Sequence, residues 1–377
     1  MKSNILIFLG TNYRQDPPQI EFFLPKYLSQ TRKIYCFEYP RFKRLFQLLF
    51  RRVTLIEKEN SNLIIFHSFA ILPYGRTFSV INAINHNMNY VIFNKFFNTD
   101  LNQFKVITFT PEISYLKKFL EAQNIIYHIL EDYVTLPWWS SNRSQNQFKK
   151  LELHLLKKVQ KIITVSETLL KKYSKKGINI YLYKTPAQLP LKHPVKIPHQ
   201  LQTIKKPIVG FIGTMFEFKI DTELLKILIE QNPQISFIFM GKICFHQKKY
   251  HQLINNLKNS FYLGYVKNEQ LNNFISNFDI CIIPYNTNKY GLSAYPVKIN
   301  QYLYFGKPTV TTTLPSIKYL AEKKLIYMAK TRKEFELLIN KLISVKENKN
   351  IVDKRYKEAL KNSWTNRIED YINIISD

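Results

Sequence analysis

A lysine and a glutamine three residues apart, Lys298 and Gln301, stand at the beginning of a predicted helix. The free backbone N–H groups of a helix N-terminus attract an anion, and the Lys298 ammonium adds a positive charge beside them. Residues three apart are neighbours on one helix face, so the Gln301 amide lies one turn along from that charge. A diphosphate with a ribose attached is the ligand that this pair suits.

The elements that must position the pair follow from the pattern of residues 279–313. A short apolar run ends at Pro284, a polar loop containing Gly291 follows, and apolar residues at helical spacing continue to Gly306. The predicted elements are a strand at 279–283, a loop at 285–295, a helix at 297–305 and a β-branched strand at 308–313. In a parallel α/β sheet, ligands bind at the carboxyl ends of the strands, which is where this loop and helix start would lie.

A second candidate for anion binding lies upstream, where strand P-I-V-G-F-I-G begins at Pro207 and is followed by Thr214. Small residues such as Gly213 at a strand end let backbone N–H groups approach an anion. Asp221 is equally compatible with capping the next helix and with contacting a ligand. Five glycines lie at or near predicted element ends, where they suit either turns or close backbone approach to a ligand: Gly10, Gly213, Gly241, Gly264 and Gly306.

Alternating strand and helix patterns in both halves predict an α/β fold of two doubly wound parallel sheets. In the first half the apolar runs lie at 4–9, 33–37, 63–66, 105–109, 125–129 and 161–165. Prolines spread through a basic stretch at 186–206, which is typical of a linker. The predicted organisation is a Rossmann-like domain at 1–185, this linker, a second Rossmann-like domain at 207–350 and a C-terminal helix at 351–377.

The segment P-V-K-I-N-Q-Y-L-Y-F-G-K-P-T-V resembles P-x-K-x-x-E-Y-L-x-x-G-K-P-V-V of GT-B glycosyltransferases, in the family 4-like branch (glycosyl transferases group 1). The resemblance implies a GT-B fold, with two Rossmann-like domains facing a cleft and a nucleotide sugar bound by the second. The donor-binding residues that it implies are Gly213, Thr214, Asn288, Tyr295, Pro296, Val297, Lys298 and Gln301. The family's acid that holds donor hydroxyls is Gln301 here, and an amide forms hydrogen bonds without a charge.

Shorter fragments of the chain resemble landmarks of a bacterial surface-polysaccharide subgroup: those near Arg14, Arg76, Thr110, Asp132 and Trp364. On the acceptor side, Asp132 is the candidate catalytic residue, because a carboxylate could take or orient the proton of an acceptor hydroxyl. Glu131 is a second choice, and Arg14 could neutralise an anionic acceptor or a donor phosphate. Ordinary surface charge explains Arg14 equally well. In the family, the last helix crosses back to the first domain.

Two features of the family are missing. The Asn-Gly pair that usually follows the last strand of the first domain is replaced by residues 183–186, and no histidine stands in a matching motif. His67 lies at a strand end, where a structural role is favoured. The resemblance implies a retaining, metal-independent transferase that moves a sugar from a nucleotide sugar to a glycan or lipid-linked saccharide in cell-surface polysaccharide synthesis. The alternative is a catalytically inactive GT-B binding or scaffold protein.

Composition limits the partners and the compartment. The 377 residues include 55 basic and 27 acidic side chains, a net charge of +28, which attracts polyanions. No nucleic-acid-binding motif accompanies the charge, so no nucleic-acid partner is predicted. The three cysteines, Cys36, Cys244 and Cys281, lie in apolar runs and indicate free thiols in a reducing compartment. With no signal-peptide pattern, the predicted location is the cytoplasm, extending to the inner face of the cell membrane.

Known metal and cofactor motifs are missing from the sequence. There is no Asp-x-Asp pair, no P-loop, since Pro308 follows Gly306-Lys307, and no His/Cys cluster with metal spacing. We therefore expect no metal and no cofactor, the nucleotide sugar being a substrate.

The segment 40–53, P-R-F-K-R-L-F-Q-L-L-F-R-R-V, is amphipathic. Arginines and a lysine lie on the flanks and back of the predicted helix. The apolar residues fall on one helical face: Phe42, Leu45, Phe46, Leu49 and Val53. The pattern is typical of a helix that docks on an anionic membrane surface. A helix that packs its apolar face on the core and exposes a basic side fits equally well.

Overall fold

The computed structural model describes residues 4–14, 19–75, 77–98, 100–116, 118, 121–137, 141–174, 177–189, 196–244, 257–345 and 347–376. The chain divides into two compact units. The first comprises residues 1–165, 169–183 and 368–377, and the second comprises 166–168 and 184–367. Arg76 and most of a helical pattern at 247–257 lie outside the described residues.

The first unit is built on a sheet whose described strands are β1 (Asn4–Phe8), β2 (Ile34–Phe37), β3 (Ile56–Asn60), β4 (Leu63–Phe66), β5 (Phe104–Thr108), β6 (Ile125–Ile129), β7 (Lys161–Thr164) and β8 (Asn179–Leu182). Their order is β3-β4-β2-β1-β5-β6-β7-β8. The described pairs are parallel except that edge strand β3 is antiparallel to β4. The helices are α1 (Ile20–Leu28), α2 (Phe42–Leu49), α3 (Ser79–Phe97), α4 (Asn142–Leu155) and α5 (Glu167–Tyr173), of which the first two residues of α5 belong to the second unit.

The second unit has a parallel sheet of β9 (Ile208–Ile212), β10 (Ser236–Met240), β11 (Ser260–Tyr262), β12 (Ile280–Ile283), β13 (Thr309–Thr312) and β14 (Tyr327–Ala329). Their order among the described residues is β11-β10-β9-β12-β13-β14. The helices are α6 (His199–Gln202), α7 (Thr222–Gln231), α8 (Leu271–Asn277), α9 (Lys289–Ser293), α10 (Lys298–Tyr304), α11 (Lys318–Glu322), α12 (Arg332–Ser344) and α13 (Lys349–Lys361). The last helix, α14 (Trp364–Ser376), begins in the second unit, and from Ile368 its residues belong to the first.

The continuous apolar runs of the sequence become buried strands because parallel sheets are covered on both faces. Every residue of β9 and of β12 is buried. The prediction of two doubly wound parallel sheets is therefore confirmed. Among the described residues, no helix is both long enough and apolar enough to cross a bilayer.

Three local predictions were wrong. The loop predicted at 285–295 contains the short helix α9, and the terminal helix predicted at 351–377 is two helices that meet at residues 362–363. Strand β3 was not predicted. It is an edge strand whose residues are exposed or half-buried, so it lacks the apolar run that marks the central strands.

Close backbone approach explains one glycine at the carboxyl edge of the second sheet. Gly241, after β10, has φ +132°, and a Cβ atom there would lie 2.1 Å from the carbonyl oxygen of Gly213, after β9. Gly213 N donates to Met240 O at 2.9 Å, so the two strand ends are held together. A side chain at position 241 cannot be accommodated unless the Gly213 backbone moves.

We expect Gly241→Ala to destabilise the protein by about 3 kcal/mol or more, because it adds a backbone clash to an unfavourable φ. Gly264→Ala is the matched control, since Gly264 has φ +72° but no atom within 4 Å of an added Cβ. The control should cost only about 1 kcal/mol. Urea unfolding of both variants measures the difference, and equal losses would contradict the proposed clash.

Candidate functional site

The carboxyl edge of the second sheet brings together the two segments that were predicted to bind a donor. Asp221 N donates to Pro284 O at 2.8 Å, and Asn286 N donates to Lys219 O at 2.8 Å. The segment after β9, which begins with Gly213 and Thr214, therefore lies beside the loop after β12. Gly213 and Thr214 are both half-buried.

Helix α10 is attached to the end of β9 through a buried tyrosine. The Tyr302 hydroxyl accepts a hydrogen bond from Ile212 N at 2.9 Å. Tyr302, Ile299 and Leu303 are each 0% exposed, so they fix which way the helix is rotated. Helix α10 is consequently fixed at the strand end that precedes Gly213.

Lys298, the first residue of α10, is half-buried and has no carboxylate within ion-pair distance among the described residues. Burial lowers the pKa of its ammonium to about 8. A buried cation with no counter-ion is costly, and an anion bound beside it would remove that cost. Lys298 therefore has the electrostatics of an anion-binding residue.

Gln301 is 7% exposed and uses only part of its hydrogen-bonding capacity. Its Nε2 donates to Gln188 O at 3.3 Å, whereas its Oε1 has no hydrogen-bond partner in the part of the chain that the structure describes. Buried acceptors without partners are rare and costly. A hydroxyl group of a bound ligand could donate to this oxygen.

The loop before α10 is held in place by its own side chains. Asn288 caps α9, accepting from Gly291 N at 2.9 Å and donating to Phe218 O at 2.9 Å. The Tyr295 hydroxyl accepts from Asn300 Nδ2 at 3.0 Å. Both side chains, predicted to bind the donor, thus have structural partners.

Pro296 and Val297 lead directly into α10. Ile299 N donates to Pro296 O at 3.0 Å, and Val297 has helical backbone angles but makes no side-chain cap. The backbone N–H groups at this turn lack the usual capping side chain.

Asp221 has a structural role. Its Oδ1 accepts from Leu224 N at 3.0 Å, which caps α7, and Arg332 donates to both carboxylate oxygens at 3.0 and 2.9 Å. Of the two interpretations that the sequence left open, the helix cap is the one that the contacts support.

The predicted acceptor-side residues lie in the first unit, and two of them form ion pairs. Asp132 is 7% exposed, and its Oδ1 accepts a hydrogen bond from Lys172 Nζ at 2.6 Å. Arg14 pairs with Glu57 and Glu59. Glu131, beside Asp132, is half-buried. The charge of Arg14 is balanced locally by its two glutamate partners.

His67 is a structural histidine, as the sequence favoured. Its Nδ1 lies 2.9 Å from Glu38 Oε2 and its Nε2 lies 3.0 Å from Glu57 Oε2. Glu38 is 0% exposed and also accepts from Tyr13 N at 2.7 Å and from Arg44 Nη2 at 3.0 Å. The ring therefore holds together the carboxyl ends of β2 and β4.

Sequence reasoning missed Glu21, in the first turn of α1. It is 4% exposed, its Oε2 has no hydrogen-bond partner among the described residues, and burial, together with the charge of Glu131, raises its pKa to about 7. A glutamate in the first turn of a helix is ordinarily exposed, where its charge interacts favourably with the helix dipole. Nothing in the sequence therefore marks this one as buried.

A family model matches most of the second unit, and a curated relative matches about half of the chain. Residues 206–348 match the family model described as "Glycosyl transferases group 1". A curated relative from Bacillus subtilis (strain 168), "Putative teichuronic acid biosynthesis glycosyltransferase TuaH", is 26% identical over 192 residues, which are 48% of this chain and 46% of the relative. The match thus spans less than half the length of that relative.

Solved structures show the fold over the whole chain. Sucrose-phosphate synthase from Thermosynechococcus elongatus has a TM-score of 0.77 at 12% identity, over 98% of both chains. Anabaena Alr3699/HepE, in complex with UDP and glucose, has a TM-score of 0.67 at 15% identity, also over 98% of both chains. The fold is GT-B, and that prediction is confirmed.

We expect Glu21→Gln to stabilise the protein at pH 8. A carboxyl whose pKa rises from 4.5 to about 7 on folding binds more protons in the folded state, so stability falls as pH rises through that window. The amide removes a cost of up to about 3 kcal/mol above pH 7. Urea unfolding at pH 5 and pH 8 measures the gain, with exposed Glu230→Gln as the control. A variant less stable than the natural protein at pH 8 would contradict the assignment.

Proposed function

We propose that the chain is a glycosyltransferase that moves a sugar from a nucleotide-sugar donor to a glycan or lipid-linked saccharide acceptor in cell-surface polysaccharide synthesis. One observation carries the proposal: among the described residues, the cation that begins α10 has no counter-ion, and a buried amide oxygen one turn along has no hydrogen-bond partner. A diphosphate would satisfy Lys298, and a hydroxyl of the attached ribose or sugar would satisfy Gln301.

The relatives support this choice of donor and pathway. The matched family model covers the unit that contains α10, and the matched relative is named for teichuronic acid biosynthesis. HepE, of the same fold, was solved with UDP and with UDP-glucose. A uridine diphosphate sugar is therefore the first donor to test.

The proposed reaction breaks the bond between the anomeric carbon and the diphosphate oxygen and forms a bond from the same carbon to an acceptor oxygen. Lys298 and the helix N–H groups stabilise the charge that develops on the departing diphosphate, without a metal. Asp132 accepts a hydrogen bond from the acceptor hydroxyl and orients it, or takes its proton. By resemblance to the family, the configuration of the sugar is retained.

The alternative is a GT-B protein that binds the donor without transferring it, because an amide replaces the family's acid at Gln301. Incubation with radiolabelled UDP-glucose separates the two. Label that moves to an acceptor or to water supports the transferase, whereas binding without either supports the scaffold.

A peripheral membrane contact through residues 40–53 at the cytoplasmic face belongs to the same proposal. Among the described residues, α2 has no buried side chain, and Phe46 and Leu49 are 47% and 68% exposed. Arg51 and Arg52, just beyond the helix, are also exposed. An uncovered apolar face flanked by cations is what an anionic membrane surface binds.

We expect Lys298→Ala to weaken UDP binding by about tenfold or more, since the contact between the half-buried ammonium and the diphosphate is lost. In the natural protein, affinity should also fall about tenfold between pH 7 and pH 9, because an ammonium with a pKa of about 8 loses its charge across that range.

Calorimetric titration with UDP at both pH values measures the two effects. Lys289→Ala, an exposed lysine in α9, should change neither. Unchanged affinity in Lys298→Ala would remove the basis of the donor site.

We expect the double variant Phe46→Asp, Leu49→Asp to lose binding to vesicles that contain anionic phosphatidylglycerol, by about tenfold or more. Sedimentation with vesicles, at low and high salt, measures the bound fraction. Leu337→Asp, at an exposed apolar position of the second unit, is the matched control. Equal binding of both variants would exclude α2 as the contact.

A further inference from the structure

The first unit exposes a second apolar segment besides α2. Residues 71–84 follow the β4 end of the sheet and expose large apolar side chains: Ile71, Leu72, Tyr74, Phe78, Val80 and Ile84. The two segments are connected, because Ala70 N donates to Arg41 O at 3.1 Å just before α2. Single exposed apolar residues are ordinary, whereas a contiguous patch marks a site of interaction.

A cavity of about 380 Å³ lies where the two segments meet. It is lined by residues 39–42, Ala70, residues 72–75, Asn82 and Asn85. Its size falls within the range of sites that bind small molecules. Phe42, the first residue of the uncovered helix, is part of the lining, so the cavity adjoins the apolar face of α2.

The two asparagines of the cavity use their polar atoms on the protein. Asn82 Oδ1 accepts from the Tyr39 hydroxyl at 3.0 Å. Asn85 Oδ1 accepts from Ile71 N at 3.0 Å and from Leu72 N at 3.2 Å, and its Nδ2 donates to Leu72 O at 2.9 Å. A site for sugar hydroxyls needs donors and acceptors to spare. What remains is largely aromatic, proline and leucine surface, which suits hydrocarbon.

The charge around the cavity favours an anion at its edge. Arg41 is part of the lining, and Lys43, Arg51 and Arg52 are exposed along the same segment. Cations beside an apolar surface complement a molecule with a hydrocarbon chain and an anionic head.

We propose that this cavity binds the hydrocarbon segment nearest the head of a lipid phosphate, with the phosphate next to Arg41. The inference rests on the proposed function in one respect: the lipid phosphate is taken to be the anchor of the saccharide acceptor. The cavity then selects acceptors by their anchor, whereas the glycan itself is recognised elsewhere.

The test uses dodecyl phosphate, titrated below its critical micelle concentration into the full chain and followed by calorimetry. Dodecyl maltoside has the same chain with a neutral sugar head, and maltose and inorganic phosphate carry the heads alone. We expect dodecyl phosphate to bind about tenfold more tightly than dodecyl maltoside, and the two heads not to bind.

Two variants examine the lining, and one examines the head. Leu72→Asp and Tyr74→Asp should each weaken dodecyl phosphate binding by about tenfold, because they place a negative charge at the apolar wall. Tyr74 is 74% exposed, so that variant will fold even if the other does not. Arg41→Gln should weaken dodecyl phosphate and leave dodecyl maltoside unchanged. Leu337→Asp is again the control.

Binding of maltose as tight as that of dodecyl phosphate would overturn the proposal in favour of a glycan site. Affinities in Leu72→Asp and Tyr74→Asp equal to that of the control would overturn it too. UDP binding, measured on the same samples, separates this inference from the proposed function. If dodecyl phosphate binds and UDP does not, the proposed transferase is contradicted and the lipid site stands. If UDP binds and dodecyl phosphate does not, the lipid site is contradicted and the proposed transferase stands.

Discussion

The hydrogen bond between the Tyr302 hydroxyl and Ile212 N is the contact on which the candidate donor site depends. It joins α10 to the end of β9, and the burial of Ile299 and Leu303 prevents the helix from rotating. With those residues in the core, Lys298 and Gln301 must lie on the remaining part of the helix surface. The positions of the cation and of the amide oxygen are therefore consequences of core packing.

At the carboxyl edge of the first sheet, the predicted acceptor-side charges have partners, in contrast to the lysine of α10. Arg14 is paired with two glutamates and Asp132 with Lys172, and the His67 ring lies within hydrogen-bond distance of two carboxylates. Such pairs hold side chains in place at the carboxyl edge of the sheet, but they leave little net field there. In a chain with a net charge of +28, a half-buried lysine that has no counter-ion in the described part of the structure is the more informative feature.

How far the sequence predicts the structure depends on whether the physical signal is local. Buried central strands and α10 were predictable because apolar runs and helical spacing are local patterns. Edge strand β3, with the sequence I-E-K-E-N, was missed because its pairing with β4 is decided by the neighbouring strand. Helix α9 was missed because its five residues make little more than one turn, which is too short to show a helical spacing of apolar residues.

The candidate site shows the same division. The motif around Lys298 is contiguous and was found, whereas the partner of Asp132 is 40 residues away and no local pattern indicates it. Burial of Glu21 is likewise decided by the packing of α1 and not by its own sequence. Contacts made through tertiary structure are the part that a single sequence does not reveal.

The amide at Gln301 changes the electrostatics of the helix start as well as its hydrogen bonding. An acid at that position would lie one turn from Lys298, where opposite charges attract and a lysine becomes partly neutralised. Gln301 provides no such neutralisation, and no carboxylate of the described residues lies within ion-pair distance of the ammonium. The amide oxygen is a weaker acceptor for a hydroxyl than a carboxylate is, because hydrogen bonds to charged groups are stronger. Compared with an acid, the amide therefore offers a weaker acceptor to a hydroxyl and leaves a stronger positive potential at the Lys298 ammonium.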